Sequence, residues 1–331
     1  MTVSLCVVAY NEERFLPNLL SDLSNQTYPH GLIEIVLVDS KSSDRTKQIM
    51  LDFAETNVTF SSVRVLDNPK KTQASGWNVA ISNAKGDVII RIDAHTKIPS
   101  DFTEKNMILQ EKGEYVTGGV RPCLIDEPTP WKETLLEVEN SMFGSSVSKG
   151  RKNKKRCYVK SMFHAAYRRE VFEKVGEFNT ELLRTEDNEL HYRVRQAGYK
   201  LYCDPVIVSY QYARSDFKKM VKQKYGNGYW IGRTLGVCPG CISLFHLVPL
   251  CFVFGIILTS FLLFLSFWQF AAIMWSAYLL FVLSGTACTI INGKANRWTF
   301  LMPILFLIMH VSYGVGTFVG LVKMLAGKVC K

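Results

Sequence analysis

Short apolar runs alternate with amphipathic stretches along the first third of the chain, and this rhythm predicts strands followed by helices. The runs are Val3–Val8, Ile33–Val38, Val63–Leu66, Val88–Ile92 and Tyr115–Thr117. Between them, apolar positions at helical spacing predict helices at about Asn11–Ser24, Ser43–Thr56, Thr72–Ala84 and Ser100–Lys112. Such alternation argues an α/β fold, a mostly parallel sheet with helices on both faces. Strands that are apolar on both sides are what that double coverage demands. Ser42 or Ser43 reads as the cap of the second helix. From about Pro122 to Lys160 the alternation fades, and beyond it Asn188–Gly198 reads as a further helix stopped by its glycine.

A different pattern takes over near residue 241. From Ile242 onward there is no Asp or Glu, and the basic residues are Lys294, Arg297, Lys323, Lys328 and Lys331. Leu244–Phe267, Phe270–Ile291 and Phe300–Val322 each approach the length of about 20 apolar residues that crosses a bilayer. Trp268, Trp275 and Trp298 lie at or near their ends, where interfacial aromatics belong. The expected organisation is a soluble domain over 1–235 and an all-α transmembrane domain over 236–331. Val3–Val8 already reads as strand with no basic segment before it, so the soluble domain is expected to stay in the cytoplasm on a multi-pass anchor.

Orientation carries a conflict. With three spans, Lys294 and Arg297 fall inside as the positive-inside rule asks, while Lys323, Lys328 and Lys331 end outside. Either the last segment is re-entrant or the earlier helices overrule its charges. Nine cysteines fit a reducing compartment. Cys238-Pro-Gly-Cys241 has CxxC spacing, but no second pair completes a zinc site, and it reads as a turn entering the membrane.

Charge narrows the partners. The chain carries 39 Lys and Arg against 29 Asp and Glu, and six cations fall within Lys149–Arg156. That run has no interleaved aromatics or groove-reading motif, so nucleic acid is not the expected partner. Beside a membrane anchor, anionic headgroups or a lipid diphosphate suit it better.

Candidate chemistry gathers at strand ends. Asp93-Ala94-His95 closes the run Val88–Ile92, at the edge where open α/β sheets bind ligands. On an extended segment the two side chains would project from one side and jointly hold a ribose and a divalent cation on a diphosphate. Asp39 stands at the end of the second strand. After the first strand the chain reads Ala9-Tyr10-Asn11-Glu12-Glu13 rather than G-x-G-x-x-G, which argues against a dinucleotide-dependent oxidoreductase. Glu186 and Asp187 are adjacent carboxylates at a helix start; they serve as dipole partners, or one faces structure and the other a reacting hydroxyl.

Taken together, these segments resemble the family 2 glycosyltransferases with the GT-A fold, across about 1–235. The resemblance is carried by Val7-Val8-Ala9-Tyr10-Asn11-Glu12-Glu13, by Val38-Asp39-Ser40 with Ser42, Asp44 and Thr46, and by Lys85 to His95. It continues through Gly118-Gly119-Val120, Val175-Gly176-Glu177-Phe178, Thr185 to Leu190, Arg214 and Gln223 to Gly228. The Asp-Ala-His variant and the tail are most similar to succinoglycan-type exopolysaccharide glucosyltransferases.

The resemblance implies a UDP-sugar donor whose uracil meets Tyr10, Glu12 and Asp39. It implies Asp93 on the ribose side, His95 and Asp93 at a divalent cation, and Asp187, beside Glu186, as general base. An imidazole where the family has a second Asp favours Mn²⁺ over Mg²⁺. For the acceptor or its lipid diphosphate the candidates are Gly118, Gly119, Arg151, Lys152 and Gln223. After Gln223 the chain lacks the Arg-Trp of processive synthases, so one sugar per encounter is expected. The reaction so implied is inverting hexosyl transfer to a lipid-linked saccharide (a polyprenyl diphosphate). Alternatives are a polyprenyl-phosphate sugar synthase and a non-catalytic membrane scaffold that keeps the fold.

Overall fold

The computed structural model describes residues 1–141, 155–212 and 216–327. Eleven strands occur among them. β1 (Val3–Ala9), β2 (Ile33–Asp39), β3 (Ser62–Asp67) and β4 (Val88–Asp93) are parallel neighbours in the order β3-β2-β1-β4. The same sheet continues through β9 (Ala166–Arg168), β6 (Val116–Val120), β10 (Leu201–Val208) and β8 (Cys157–Val159). β9 and β8 pair antiparallel with their neighbours, so the sheet is mixed. A second, small sheet joins β5 (Thr96–Lys97), β11 (Tyr210–Tyr212) and β7 (Cys123–Leu124).

Alternation along each strand sorts the core into two layers. Val3, Leu5 and Val7 of β1 and Val88, Ile90 and Ile92 of β4 pack with helices Leu16–Ser24, Thr46–Thr56 and Phe102–Glu111. Cys6 and Ile89 face the other way, toward helices Gln73–Asn83, Arg169–Val175 and Glu186–Gln196. Since each buried Leu, Ile or Val contributes about 1.5–3 kcal/mol, a one-residue slip of a central strand would exchange the two layers and is strongly disfavoured. Helices therefore cover both faces, as the alternation predicts.

Several boundaries shift for local reasons. The first helix begins at Leu16 rather than Asn11, because Asn11 takes a left-handed φ of 55° and Glu12 opens a turn. Ser42 and Ser43 do not cap the second helix, which starts at Thr46. The Asn11 amide N–H donates to Ser42 Oγ at 3.0 Å and Asn11 Oδ1 accepts from the Ser43 amide at 2.8 Å, so both serines tie the first loop to the second. The helix expected at Asn188 begins at Glu186, and Gly198 follows it with φ 93°, as expected of a stop.

The faded stretch after Pro122 holds a helix that periodicity missed. Pro130–Asn140 starts with proline in its first turn, and Thr129 Oγ1 accepts from the Lys132 amide at 3.3 Å. Of the basic run, residues 149–154 lie outside the described residues, while Arg156 Nε donates to Asp204 at 2.8 Å.

The chain divides into two compact units, residues 1–124 with 150–212, and residues 125–149 with 213–331. The division falls at 212–213 rather than at 235, because helix Phe217–Thr234 packs with the apolar C-terminal part. In that second unit, Leu244–Phe264, Trp268–Ile291 and Thr299–Leu325 are long and apolar enough to cross a membrane. Pro239–Cys241 forms the turn expected ahead of the first of them.

Glycines seat Phe217–Thr234 on Met302–Leu325. A Cβ on Gly228 would lie 2.0 Å from the Tyr313 carbonyl oxygen, and one on Gly320 would lie 2.1 Å from that of Tyr229. Only hydrogen fits there, and small residues let the two backbones meet as membrane helices do.

Candidate active site

Parallel pairing brings the chemistry to one edge of the sheet. Ala9 of β1 lies opposite Asp39, and Val8 lies opposite Asp93, so the segments leaving β1, β2 and β4 share the carboxyl edge. Tyr10 is half exposed there, whereas Asp39 is buried and both its carboxylate oxygens accept from the Ser42 amide at 3.3 Å.

Beyond Asp93 the chain is not extended, contrary to the sequence expectation: Ala94 and His95 form a turn leading into β5. The imidazole consequently engages its own partners. His95 Nδ1 lies 3.1 Å from Glu12 Oε1, and the Gln211 amide nitrogen lies 3.1 Å from His95 Nε2. Burial works against a charged imidazole, but the Glu12 hydrogen bond and the Asp93 charge outweigh it and raise its pKa.

Asp93 is a buried carboxylate among cations. Its Oδ2 is 3.2 Å from His164 Nε2 and 3.7 Å from Arg121 Nη1, and Gln73 donates to Oδ1 at 3.5 Å. Burial would favour the neutral acid, yet these neighbours and Arg91 hold Asp93 well below the usual carboxylate range. His164 is pushed the other way, since burial outweighs the Asp93 contact and lowers its pKa.

Arg91 links this carboxylate to the next pair. Its guanidinium carbon sits 5.0 Å from the Trp77 ring centre and 5.5 Å from that of Phe178, and Nη2 reaches within 3.9 Å of Asp187 Oδ2. Nε and Nη1 of Arg91, and Oε2 of Glu186, are buried without hydrogen-bond partners among the described residues. Both carboxylates at this helix start have raised pKa values. For Glu186, burial and the Asp187 charge push it up to about 7. Asp187 is raised by burial against the pull of Arg91 and of the Asn188 amide, which donates to Oδ1 at 2.9 Å. The two adjacent carboxylates therefore hold protons more tightly than free carboxylates do and titrate as a pair.

Some sequence candidates have another local reason to be where they are. Gly118 and Gly119 lie within β6, where a Cβ would come 2.7 Å from the flexible Met162 Sδ and 1.8 Å from the Ile207 carbonyl oxygen; close backbone packing requires Gly119. Gln223 sits on helix Phe217–Thr234 of the second unit, its Oε1 buried without a hydrogen-bond partner among the described residues. Arg151 and Lys152 lie outside the described residues. Conversely, sequence reasoning missed Arg91, Arg121, His164 and Gln211. A lone arginine in the apolar strand Val88–Asp93 was a readable signal; for His164 there was none.

An α/β sheet with acidic and cationic side chains along its carboxyl edge belongs to the class of open α/β folds that bind ligands at that edge. The glycosyl transferase family 2 model matches residues 4–176, more than half of the chain, and the protein belongs to that family. It is 26% identical over 97% of its length to a dolichyl N-acetyl-α-D-glucosaminyl phosphate 3-β-D-2,3-diacetamido-2,3-dideoxy-β-D-glucuronosyltransferase of Methanococcus voltae, 97% of which is covered. It is also 26% identical to the succinoglycan biosynthesis protein ExoA of Rhizobium meliloti, over 95% of this chain and 94% of that one. Among solved structures, the mannosyltransferase PcManGT of Pyrobaculum calidifontis, in complex with GDP-Man and Mn²⁺, aligns with a TM-score of 0.62 at 16% identity. That alignment covers 96% of this chain and 86% of the other, a likeness of GT-A-type fold.

Proposed function

We propose that this family 2 enzyme transfers a hexose from a UDP-sugar to a lipid-linked saccharide, with inversion and one sugar per encounter. The observation that carries the reading is the row of Asp39, Asp93 and His95 along one sheet edge, with Asp187 tied to the same group of charges through Arg91. Tyr10, Glu12 and Asp39 are assigned to the uracil and Asp93 to the ribose side.

The residues fit a cation carried in on the diphosphate better than a closed protein cage. Among the described residues no three His, Cys, Asp or Glu side chains come together as ligands. Asp93 offers carboxylate oxygen. With Glu12 accepting from Nδ1–H, His95 Nε2 accepts from the Gln211 amide at 3.1 Å, a contact that a bound cation would replace, while Glu12 keeps the imidazole oriented as a ligand. Such a cation, Mn²⁺ rather than Mg²⁺ by its imidazole ligand, would offset charge developing on the departing diphosphate. Asp187 takes the proton of the attacking hydroxyl, worth about 10²–10⁴-fold. A single in-line displacement inverts the anomeric centre.

The acceptor reading is supported by the membrane helices and by the Methanococcus relative, whose similarity runs through the tail. Contacts within the second unit support a topology. Thr134 Oγ donates to Asn296 Oδ1 at 3.0 Å, Lys294 Nζ donates to Glu137 at 2.5 Å, and Trp131 stacks edge-on with Trp298 at 5.5 Å. These contacts support placing the loop between the second and third spans on the same membrane side as helix Pro130–Asn140, which no span separates in sequence from the catalytic residues. We assign that side to the cytoplasm, with Lys323, Lys328 and Lys331 opposite, so that the earlier helices overrule the last charges.

The test is transfer by the purified full chain from UDP-glucose, UDP-galactose and their N-acetyl forms, with Mn²⁺ and a polyprenyl-linked acceptor. A lipid-linked saccharide longer by one sugar is expected. A sugar placed directly on polyprenyl phosphate would replace the reading by a synthase, and absence of any transfer with every donor would remove it.

A further inference from the structure

The imidazole of His164 is 1% exposed and lies between β8 and β9, with a backbone φ of 47°. A non-glycine residue holds that left-handed conformation only where its surroundings fix it. Its contacts converge on one loop. Nε2 lies 3.2 Å from Asp93 Oδ2 and 3.2 Å from Thr96 Oγ1, so the ring touches both ends of the turn that carries Ala94 and His95. Nδ1 lies 2.8 Å from Ser209 Oγ, one residue before β11, whose Gln211 reaches His95 Nε2. The preceding residue works in the same direction, since the Phe163 ring centre lies 3.3 Å from the guanidinium carbon of Arg121, the cation on Asp93 Oδ2. A histidine that merely filled the core would satisfy its nitrogens on nearby backbone; here every partner belongs to the Asp93–Thr96 turn or to the strand that holds His95.

We propose that His164 is a positioning residue that pins the Asp93–Thr96 turn, so that Asp93 and His95 together face a diphosphate bound at the sheet edge. Nε2–H donates to the Asp93 carboxylate, and Nδ1 accepts from the Ser209 hydroxyl. Held at both nitrogens, the ring fixes the direction of the carboxylate and the position of the turn at once. Without it, Arg121 at 3.7 Å is the closest remaining cation on that oxygen, and Thr96 loses its link to Asp93. This inference rests on the nucleotide-sugar reading above and deepens it: His164 governs the diphosphate half of donor binding and leaves the uracil half alone.

The experiment compares uridine with UDP as ligands of the full chain in detergent, in the presence of Mn²⁺, by calorimetric titration. The unsubstituted protein is expected to bind UDP more tightly than uridine. His164→Ala should leave uridine affinity within about twofold and reduce the UDP advantage by about 10–100-fold, the usual effect of losing the partner behind a ligand. His164→Gln, which returns an N–H close to the position of Nε2, should recover most of that advantage. Should His164→Ala fail to fold, Thr96→Val combined with Ser209→Ala removes the ring's other two partners and should reduce the same advantage. Equal weakening of uridine and UDP, or an unchanged UDP advantage, overturns the proposal. If the unsubstituted chain shows no preference for UDP over uridine, the donor reading itself is what fails, and this inference falls with it.

Discussion

Replacing Arg91 by Met removes one charge while keeping a long side chain between Trp77 and Phe178. Arg91 Nη2 and Asp187 Oδ2 are 3.9 Å apart, with side-chain exposures of 7% and 15%, so solvent screens them little. Two unit charges at about 4 Å interact by about 4 kcal/mol at an effective dielectric constant of about 20, which bounds the effect on Asp187 at about three pKa units. Arg91 also serves Asp93 and Glu186, and water entering the vacated space screens part of the loss. A rise of about one to two units is therefore expected. The sign is fixed by the role: Asp187 must be ionised to accept a proton, burial raises its pKa, and Arg91 opposes that rise. The acid limb of kcat should move by the same amount to higher pH, with about 10–100-fold less activity below it and recovery on the alkaline side. Measuring kcat from pH 5.5 to 9 for the unsubstituted chain, Arg91→Met and Arg91→Lys decides the matter, with the lysine variant keeping its limb near the original position. Equal loss by the methionine variant at every pH would show that Arg91 acts only through packing.

Three further outcomes follow. Asp187→Asn should lower turnover by about 10²–10⁴-fold while UDP affinity stays within a few fold, measured by product formation and titration in parallel. Glu186 has a folded-state pKa raised to about 7, so the native protein holds its proton more tightly than the unfolded chain. That contribution is complete at pH below about 4.3 and is lost as pH rises through about 7. Glu186→Gln, neutral throughout, should therefore gain on the parent by on the order of 1–3 kcal/mol above pH 7, read as a melting temperature that falls less between pH 5 and 8. Gly320→Val sets a side chain where a Cβ already meets the Tyr229 carbonyl oxygen at 2.1 Å, so the two helices must separate. Its melting temperature and monodispersity in detergent should fall by more than those of Gly31→Ala, which has open space around it.

Much of the fold was readable because burial on both faces of the sheet leaves a strong mark. Val3–Ala9, Ile33–Asp39 and Val88–Asp93 are apolar apart from Ser4, Glu34 and Arg91 within them and the terminal Asp39 and Asp93, and the segments between them carry helical spacing. Helix Pro130–Asn140 escaped because charged residues dilute its apolar positions: Leu135 and Val138 are buried, but Lys132, Glu133, Glu137 and Glu139 surround them. The packing of Phe217–Thr234 onto Met302–Leu325 escaped for a different reason. Its lysines lower the hydropathy of the helix, and the signal that mattered was the pairing of Gly228 and Gly232 with Gly316 and Gly320, which is visible only once two distant segments are placed side by side.

For the site, the residue types were legible and their directions were not. Asp93 and His95 were read as neighbours on an extended strand, because sequence shows spacing and not the turn that interrupts it. That turn changes what each side chain can do. Asp93 faces His164 and Arg121, while His95 faces Glu12 and Gln211, so each has its own set of partners rather than a shared one. The consequence is electrostatic. A buried carboxylate beside Arg91, Arg121 and His164 is held well below the usual carboxylate range, whereas burial raises the adjacent pair at 186 and 187 against the pull of Arg91 and, for Asp187, of Arg121. Turnover should thus carry the pH dependence of the carboxylates at 186 and 187, whereas on the donor side Asp93 adds none in that range and His95, whose pKa is raised, is the group that titrates.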